Sequence, residues 1–179
     1  MSCNEIDMIK RQRASALKGN VTALFVLAIV GIFVSNITMI IYAVVLLNMS
    51  KTCSAYKTAG ICLLISSVLG TISSWFFEDG SVLLTLPAAV LSLISVYSEI
   101  QAHAEVLWGI DDDQSVKWEN LWKYMIMSYG VLIGSIIVIL ILPGLGALIA
   151  AAAAVAMVVT SIMKIVYLYR MENTLKAIG

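Results

Sequence analysis

Five stretches of this chain contain no charged residue: Val21–Leu47, Ile61–Phe77, Val82–Val96, Tyr124–Leu142 and Leu145–Ile162. Runs of about 18–20 apolar residues match a hydrocarbon layer about 30 Å thick at 1.5 Å per helical residue. The chain therefore reads as an all-α integral membrane protein with the lipid bilayer as its first partner. Composition agrees: 61% of the 179 residues are hydrophobic and 12% are charged, against about 25% charged in ordinary soluble domains. The eleven basic and eleven acidic residues cancel, so bulk charge does not point to nucleic acid.

Where the charges lie says more than their sum. Val21–Leu47 is 27 residues long, enough for one steeply tilted span or for two short ones broken at Ser35-Asn36. With the break, the chain crosses six times. Lys10, Arg11, Arg13, Lys18, Lys51, Lys57, Lys117, Lys123, Lys164, Arg170 and Lys176 then all lie on one side. The other side holds Ser35-Asn36, Glu78-Asp79-Gly80 and Pro143-Gly144-Leu145-Gly146, with no basic residue. Basic residues concentrate in cytoplasmic segments, so both termini are expected inside a plasma (inner) membrane. A five-span reading would instead put Lys51, Lys57 and the basic C-terminal end outside. A cleaved signal peptide fits Val21–Leu47 poorly, because twenty mostly polar residues precede the run and no small-residue cleavage site follows it.

A weak repeat supports division into three hairpins, each opened by a large residue and a lysine: Leu17-Lys18, Tyr56-Lys57 and Trp122-Lys123. The first two hairpins share a glycine thirteen residues on, Gly31 and Gly70. The expected organisation is a single transmembrane domain over 1–179, with hairpins at about 16–55, 56–107 and 118–176. A short cytoplasmic segment occupies 1–15, and an acidic cytoplasmic loop occupies 99–122. The stretches Leu46-Leu47-Asn48-Met49-Ser50-Lys51 and Tyr56-Lys57-Thr58-Ala59-Gly60 resemble segments of a loose group of small bacterial integral membrane proteins. That resemblance implies a six-helix, three-hairpin fold and no known activity.

Within lipid, helices associate through small and hydrogen-bonding residues. One expected packing face is Ser67, Gly70 and Ser74 on the third helix, with Ser66 and Gly70 as a small-x-x-x-small pair. It is matched on the fourth helix by Ala88, Ser92 and Ser95. Ala147, Ala150, Ala154, Met157, Ser161 and Lys164 form the corresponding stripe on the sixth. Glu99 and Lys164 are the charges that continue these stripes, each about 18 residues and roughly 27 Å from its outer turn. Equal depth on two parallel helices makes them a candidate ion pair at the cytoplasmic edge, with independent snorkelling as the alternative.

Glu99 and His103, one turn apart, supply two metal ligands, too few for a site. Asp111-x-Asp113-x-Ser115 imitates the start of a calcium loop, but Val116 stands where glycine is required and Trp122 where the bidentate glutamate belongs. The segment is expected as a solvated acidic loop, with Asp113 or Ser115 capping the next helix. Trp118 and Trp122 read as an interfacial anchor. Cys3, Cys53 and Cys62 lack metal or disulfide spacing and read as ordinary thiols.

No catalytic, cofactor or metal motif is present, so neither enzymatic activity nor a cofactor is expected. The expected function is a non-enzymatic helix-interaction protein, either a homo-oligomer or a subunit or accessory of a membrane complex. The alternative is a small channel or transporter. Transporters usually place ligands near the midplane on interrupted helices; here Pro87 is the one proline inside a run, and no charge lies deep.

Overall fold

The computed structural model describes residues 3–31, 35–76 and 82–178. Among them it contains six helices: α1 (Cys3–Val30), α2 (Ser35–Met49), α3 (Ser54–Phe76), α4 (Val82–Leu107), α5 (Asp112–Ile141) and α6 (Pro143–Ile178). Five are long and apolar enough to cross a membrane, while the apolar part of α2, Ile37–Met49, is shorter. Each helix packs on its sequence neighbours, and α1 closes the ring by packing on α6.

Several boundaries differ from the sequence expectation. Of the N-terminal segment, residues 3–15 are helical and continue directly into the rest of α1. The proposed acidic loop over 99–122 is helical except at 108–111. Gly109 makes this short link possible, with φ +77° in the left-handed region that other residues avoid. Asp111 rather than Asp113 or Ser115 caps α5, accepting a hydrogen bond from the Gln114 amide. A carboxylate there satisfies an otherwise unpaired amide and suits the helix dipole.

The turn read at Pro143–Gly146 is instead the first turn of α6, leaving Leu142 as the whole link. Proline is tolerated at a first helical position because that amide has no helical partner. Gly146 then lets α6 approach α5, since a Cβ there would collide with the Ile139 backbone. Ser35 and Asn36, read as the break, form the start of α2, and residues 32–34 before them lie outside the described residues. The turn at Glu78-Asp79-Gly80 and the side chains of Cys3 and Ser74 lie outside the described residues.

Packing changes character along the bundle. At the end that carries the basic residues, the core is Leu17, Leu24, Leu46, Tyr56, Ile100, Leu107, Trp118, Leu121, Leu168 and Met171, all fully buried. Toward the opposite end the buried residues of α5 and α6 are small and seven apart, Ser128 and Ser135 on α5 and Gly146, Ala153 and Thr160 on α6, and Gly146 marks the α5–α6 seam by its approach to Ile139. This seam corrects the expected α6 stripe, because Ala147, Ala154 and Ser161 are exposed. Seven residues make nearly two turns, so the same side of each helix returns to the contact.

The third-helix face is also rotated from its expected position. Gly70 is exposed, with nothing within 4 Å of an added Cβ. Ser67 bonds the carbonyl of Leu63 in its own helix. The contact with α4 is made by Ser66, which donates to the Ala88 carbonyl at 2.8 Å, and by Ser95, which donates to the Ala59 carbonyl at 2.8 Å. Ala88 and Ser95 are buried and Ser92 is half-buried. The close approach of α3 to α2 occurs at Gly60, where a Cβ would stand 2.9 Å from the Ala43 carbonyl oxygen.

Candidate functional site

Five helices bring titratable and aromatic side chains together at the end of the bundle that carries the basic residues. Glu99 of α4 is the hub, 2% exposed. Lys164 of α6 donates to its Oε2 at 2.8 Å, and Tyr42 of α2 donates to its Oε1. The Lys164 ammonium also lies 5.3 Å from the centre of the Tyr42 ring, within cation–π range. A carboxylate removed from water is tolerated when its charge and lone pairs are both engaged, and these contacts do so. The two residues named as a candidate ion pair are thus in direct contact, through an ammonium that retains 20% side-chain exposure. An extended lysine reaching a carboxylate from the rim of a buried site accounts for that asymmetry.

One turn below Glu99, His103 is fully buried. Its Nδ1 lies 2.8 Å from the Tyr56 hydroxyl of α3. Its Nε2 stands 3.5 Å from Glu99 Oε1 and makes no hydrogen bond. The indole of Trp118, on α5, stacks against the imidazole with centroids 4.5 Å apart, and Tyr167 of α6 meets that indole edge-on at 5.8 Å. Trp118 is therefore a core aromatic and not an interfacial anchor. Trp122, half-buried, packs on Tyr97 at 5.0 Å. The α-helical period explains the difference, since Trp118 shares its face with buried Ser115 and Leu121.

Further polar clasps surround this cluster toward the end of the bundle that carries the basic residues. Thr22 of α1 donates to Glu172 of α6 at 2.8 Å, and Lys176 pairs with the same carboxylate. Gln114 bridges Asp111 and Thr174 through its amide nitrogen, at 2.6 and 2.7 Å. Ser115 donates to the Ala104 carbonyl at 2.8 Å. Cys53, in the α2–α3 link, donates its thiol to Glu105 Oε2 at 3.2 Å. Burial pushes the Cys53 pKa up, and the neighbouring Glu105 carboxylate raises it further. A thiol so placed is a poor nucleophile at neutral pH.

Among the described residues, no three His, Cys, Asp or Glu side chains gather closely enough to hold a metal ion. Chemically, Tyr42, Glu99, His103 and Tyr56 form a row of proton donors and acceptors that connects α2, α4 and α3, with Lys164 as counter-charge. Sequence reasoning found Glu99, His103 and Lys164 but missed Tyr42, Tyr56 and the role of Trp118. Tyr42 is the one tyrosine in the charge-free run Val21–Leu47, which was a usable signal, because a buried hydroxyl requires a partner. No model of a protein family matches the chain, and no curated protein or solved structure matches it significantly.

Proposed function

We propose that this chain is a non-enzymatic multi-pass protein of the cytoplasmic membrane, with both termini in the cytoplasm, that works by helix-face association. Its partner is a second copy or another subunit of a membrane complex. One observation carries the reading: the buried ionisable groups engage one another across four helices, so their chemistry goes into holding the inner end together. The outer halves of α5 and α6 meanwhile carry broad apolar faces, among them Ile133, Ile137, Leu140, Leu148 and Val155, all exposed. At the inner end an open cleft of about 420 Å³ is lined by Arg13, Gln101, Glu105, Trp108 and Glu119, a mixed-charge rim around an exposed tryptophan. Such anchors are common in protein interfaces. The one-sided distribution of all eleven basic residues supports the orientation.

Cysteine cross-linking in native membranes tests the association. Cysteines placed singly at Ile137 or Leu148 are expected to give disulfide-linked dimers or adducts with a membrane partner at one of the two positions. Only monomer at both, joined by a single-chain mass in nanodiscs, would sink the proposal.

A channel or transporter is the second reading, favoured by the row Tyr42–Glu99–His103–Tyr56 and the unpaired His103 Nε2. Proteoliposomes loaded with a pH-sensitive dye discriminate. Proton leak no faster than in protein-free vesicles is expected, whereas a leak abolished by Glu99→Gln would replace association with transport.

A further inference from the structure

We propose that the cleft bordered by Arg13, Glu105, Trp108 and Glu119 binds a small zwitterion, a molecule with an ammonium at one end and an anionic phosphate or carboxylate at the other. This goes beyond helix association, and it does not depend on how the bundle sits in a bilayer.

The recess follows from residue size. Three helices converge on it: α1 with Arg13, α4 and its last turn with Gln101, Ala104, Glu105 and Trp108, and α5 with Ser115 and Glu119. Gln101, Glu105 and Trp108 follow one another at intervals of four and three residues, and Ser115 and Glu119 at four, so each wall is a single helix face. Where α4 meets α5 the lining residues are small. Ala104 is 3% and Ser115 1% exposed, and the Ser115 hydroxyl donates to the Ala104 carbonyl at 2.8 Å. Small buried residues between long side chains leave a concave space of about 420 Å³, within the roughly 300–1,000 Å³ of small-ligand sites.

The charges around this space are of both signs and do not neutralise one another. Ion pairs among the described residues are His103–Glu99, Lys117–Asp113, Lys164–Glu99 and Lys176–Glu172, and none includes Arg13, Glu105 or Glu119. Arg13 comes from α1 and the carboxylates from α4 and α5, so the two signs stand on different walls. Glu105 is also held from behind. Its Oε2 accepts the thiol of buried Cys53 at 3.2 Å, while its Oε1 has no hydrogen-bond partner among the described residues. A side chain already fixed on one side loses less freedom when a ligand engages the other.

Each wall selects one end of the ligand. An ammonium beside Glu105 and Glu119 gains their charge, and the indole of Trp108, 67% exposed, offers its face to the same cation. The planar guanidinium of Arg13 suits a phosphate or carboxylate, which it can hold through two parallel hydrogen bonds. A simple cation would meet Arg13 as a like charge, and a simple anion would meet two carboxylates. A ligand carrying both signs satisfies all three groups. Two sources supply that chemistry, a free solute such as O-phosphoethanolamine and the headgroup of phosphatidylethanolamine.

Titration of the full chain in a nonionic detergent micelle tests this. Calorimetry with O-phosphoethanolamine should show saturable binding in the millimolar range or tighter, and ethylamine or inorganic phosphate should bind at least about tenfold more weakly. Arg13→Gln is expected to remove the preference over ethylamine, and Glu105→Gln combined with Glu119→Gln the preference over phosphate. Trp108→Ala should weaken binding about fivefold. All four side chains are exposed, so thermal unfolding of each variant should match the wild type and separate lost binding from lost fold. No saturable heat up to about 50 mM O-phosphoethanolamine would overturn the proposal. Equal affinity for the three probes, or affinity unchanged in every variant, would do so as well. Nanodiscs of phosphatidylglycerol with or without phosphatidylethanolamine then assign the source. Weaker O-phosphoethanolamine binding in the ethanolamine-containing discs identifies the lipid headgroup, equal binding identifies a free solute, and either result upholds the site.

Discussion

The two ends of this bundle are built from the same helices yet packed by different rules. At the inner end, Trp118, Tyr56, Met171 and a set of leucines are fully buried, and an ionic cluster is closed among them. At the outer end Leu140 is 82% exposed and Trp75 80% exposed, while the contacts fall to glycine, alanine and serine. Water drives large apolar side chains together, so the inner end resembles a soluble core. Lipid does not, so the outer helices join through small residues and backbone approach. The Glu99–Lys164 level is where one regime gives way to the other.

The sharpest way to break this comparison is a pair of truncations. Trp118→Ala empties the stacked space between His103 and Tyr167 and is expected to cost about 3–5 kcal/mol, typical of a fully buried large aromatic. Leu140→Ala, at the lipid-facing end, should stay within about 0.5 kcal/mol. Denaturant titration in a mixed micelle reads both, and similar losses would show that the two ends share one packing rule.

Next in size is the ion pair. Glu99→Gln or Lys164→Gln alone is expected to destabilise, because each leaves a partner without its counter-charge. The double change should recover part of the loss through a coupling of about 0.5–3 kcal/mol. Strict additivity would mean that the two charges are independently solvated. Gly60→Ala, where the Cβ meets the Ala43 carbonyl, should cost about 1–3 kcal/mol by forcing α2 from α3. Gly70→Leu, which meets open space, should be close to neutral in thermal aggregation assays.

The smallest effect concerns Cys53. Because burial and Glu105 raise its thiol pKa, the thiolate is scarce at neutral pH and alkylation accelerates only above the ordinary cysteine range. The same sign makes the thiol favour the folded state below its unfolded pKa and lose that contribution as pH rises through the folded value. Glu105→Gln should move the alkylation profile of inverted membrane vesicles toward lower pH. An unchanged profile would disconnect the two side chains.

Much of this was legible from residue order, and for a definite reason. Charge-free runs and their flanking lysines are one-dimensional properties, and a bilayer reads them one helix at a time. Membrane class, helix count and the equal depth of Glu99 and Lys164 followed from counting along the chain. The rotation of each helix did not. Gly70 and Gly60 are both small residues in apolar helix α3, and no local pattern distinguishes the one against α2 from the one in open space. Trp118 and Trp122 looked alike for the same reason, though a helical turn puts one in the core and the other at its edge.

Residue order thus specified what is apolar and what is charged, because transfer free energies belong to residues and segments. Tertiary packing decided which faces meet and that Tyr42 and Tyr56 complete the Glu99–His103 cluster. Those are relations between segments distant in sequence, such as Thr22 with Glu172, and they are set by the register in which side chains interlock.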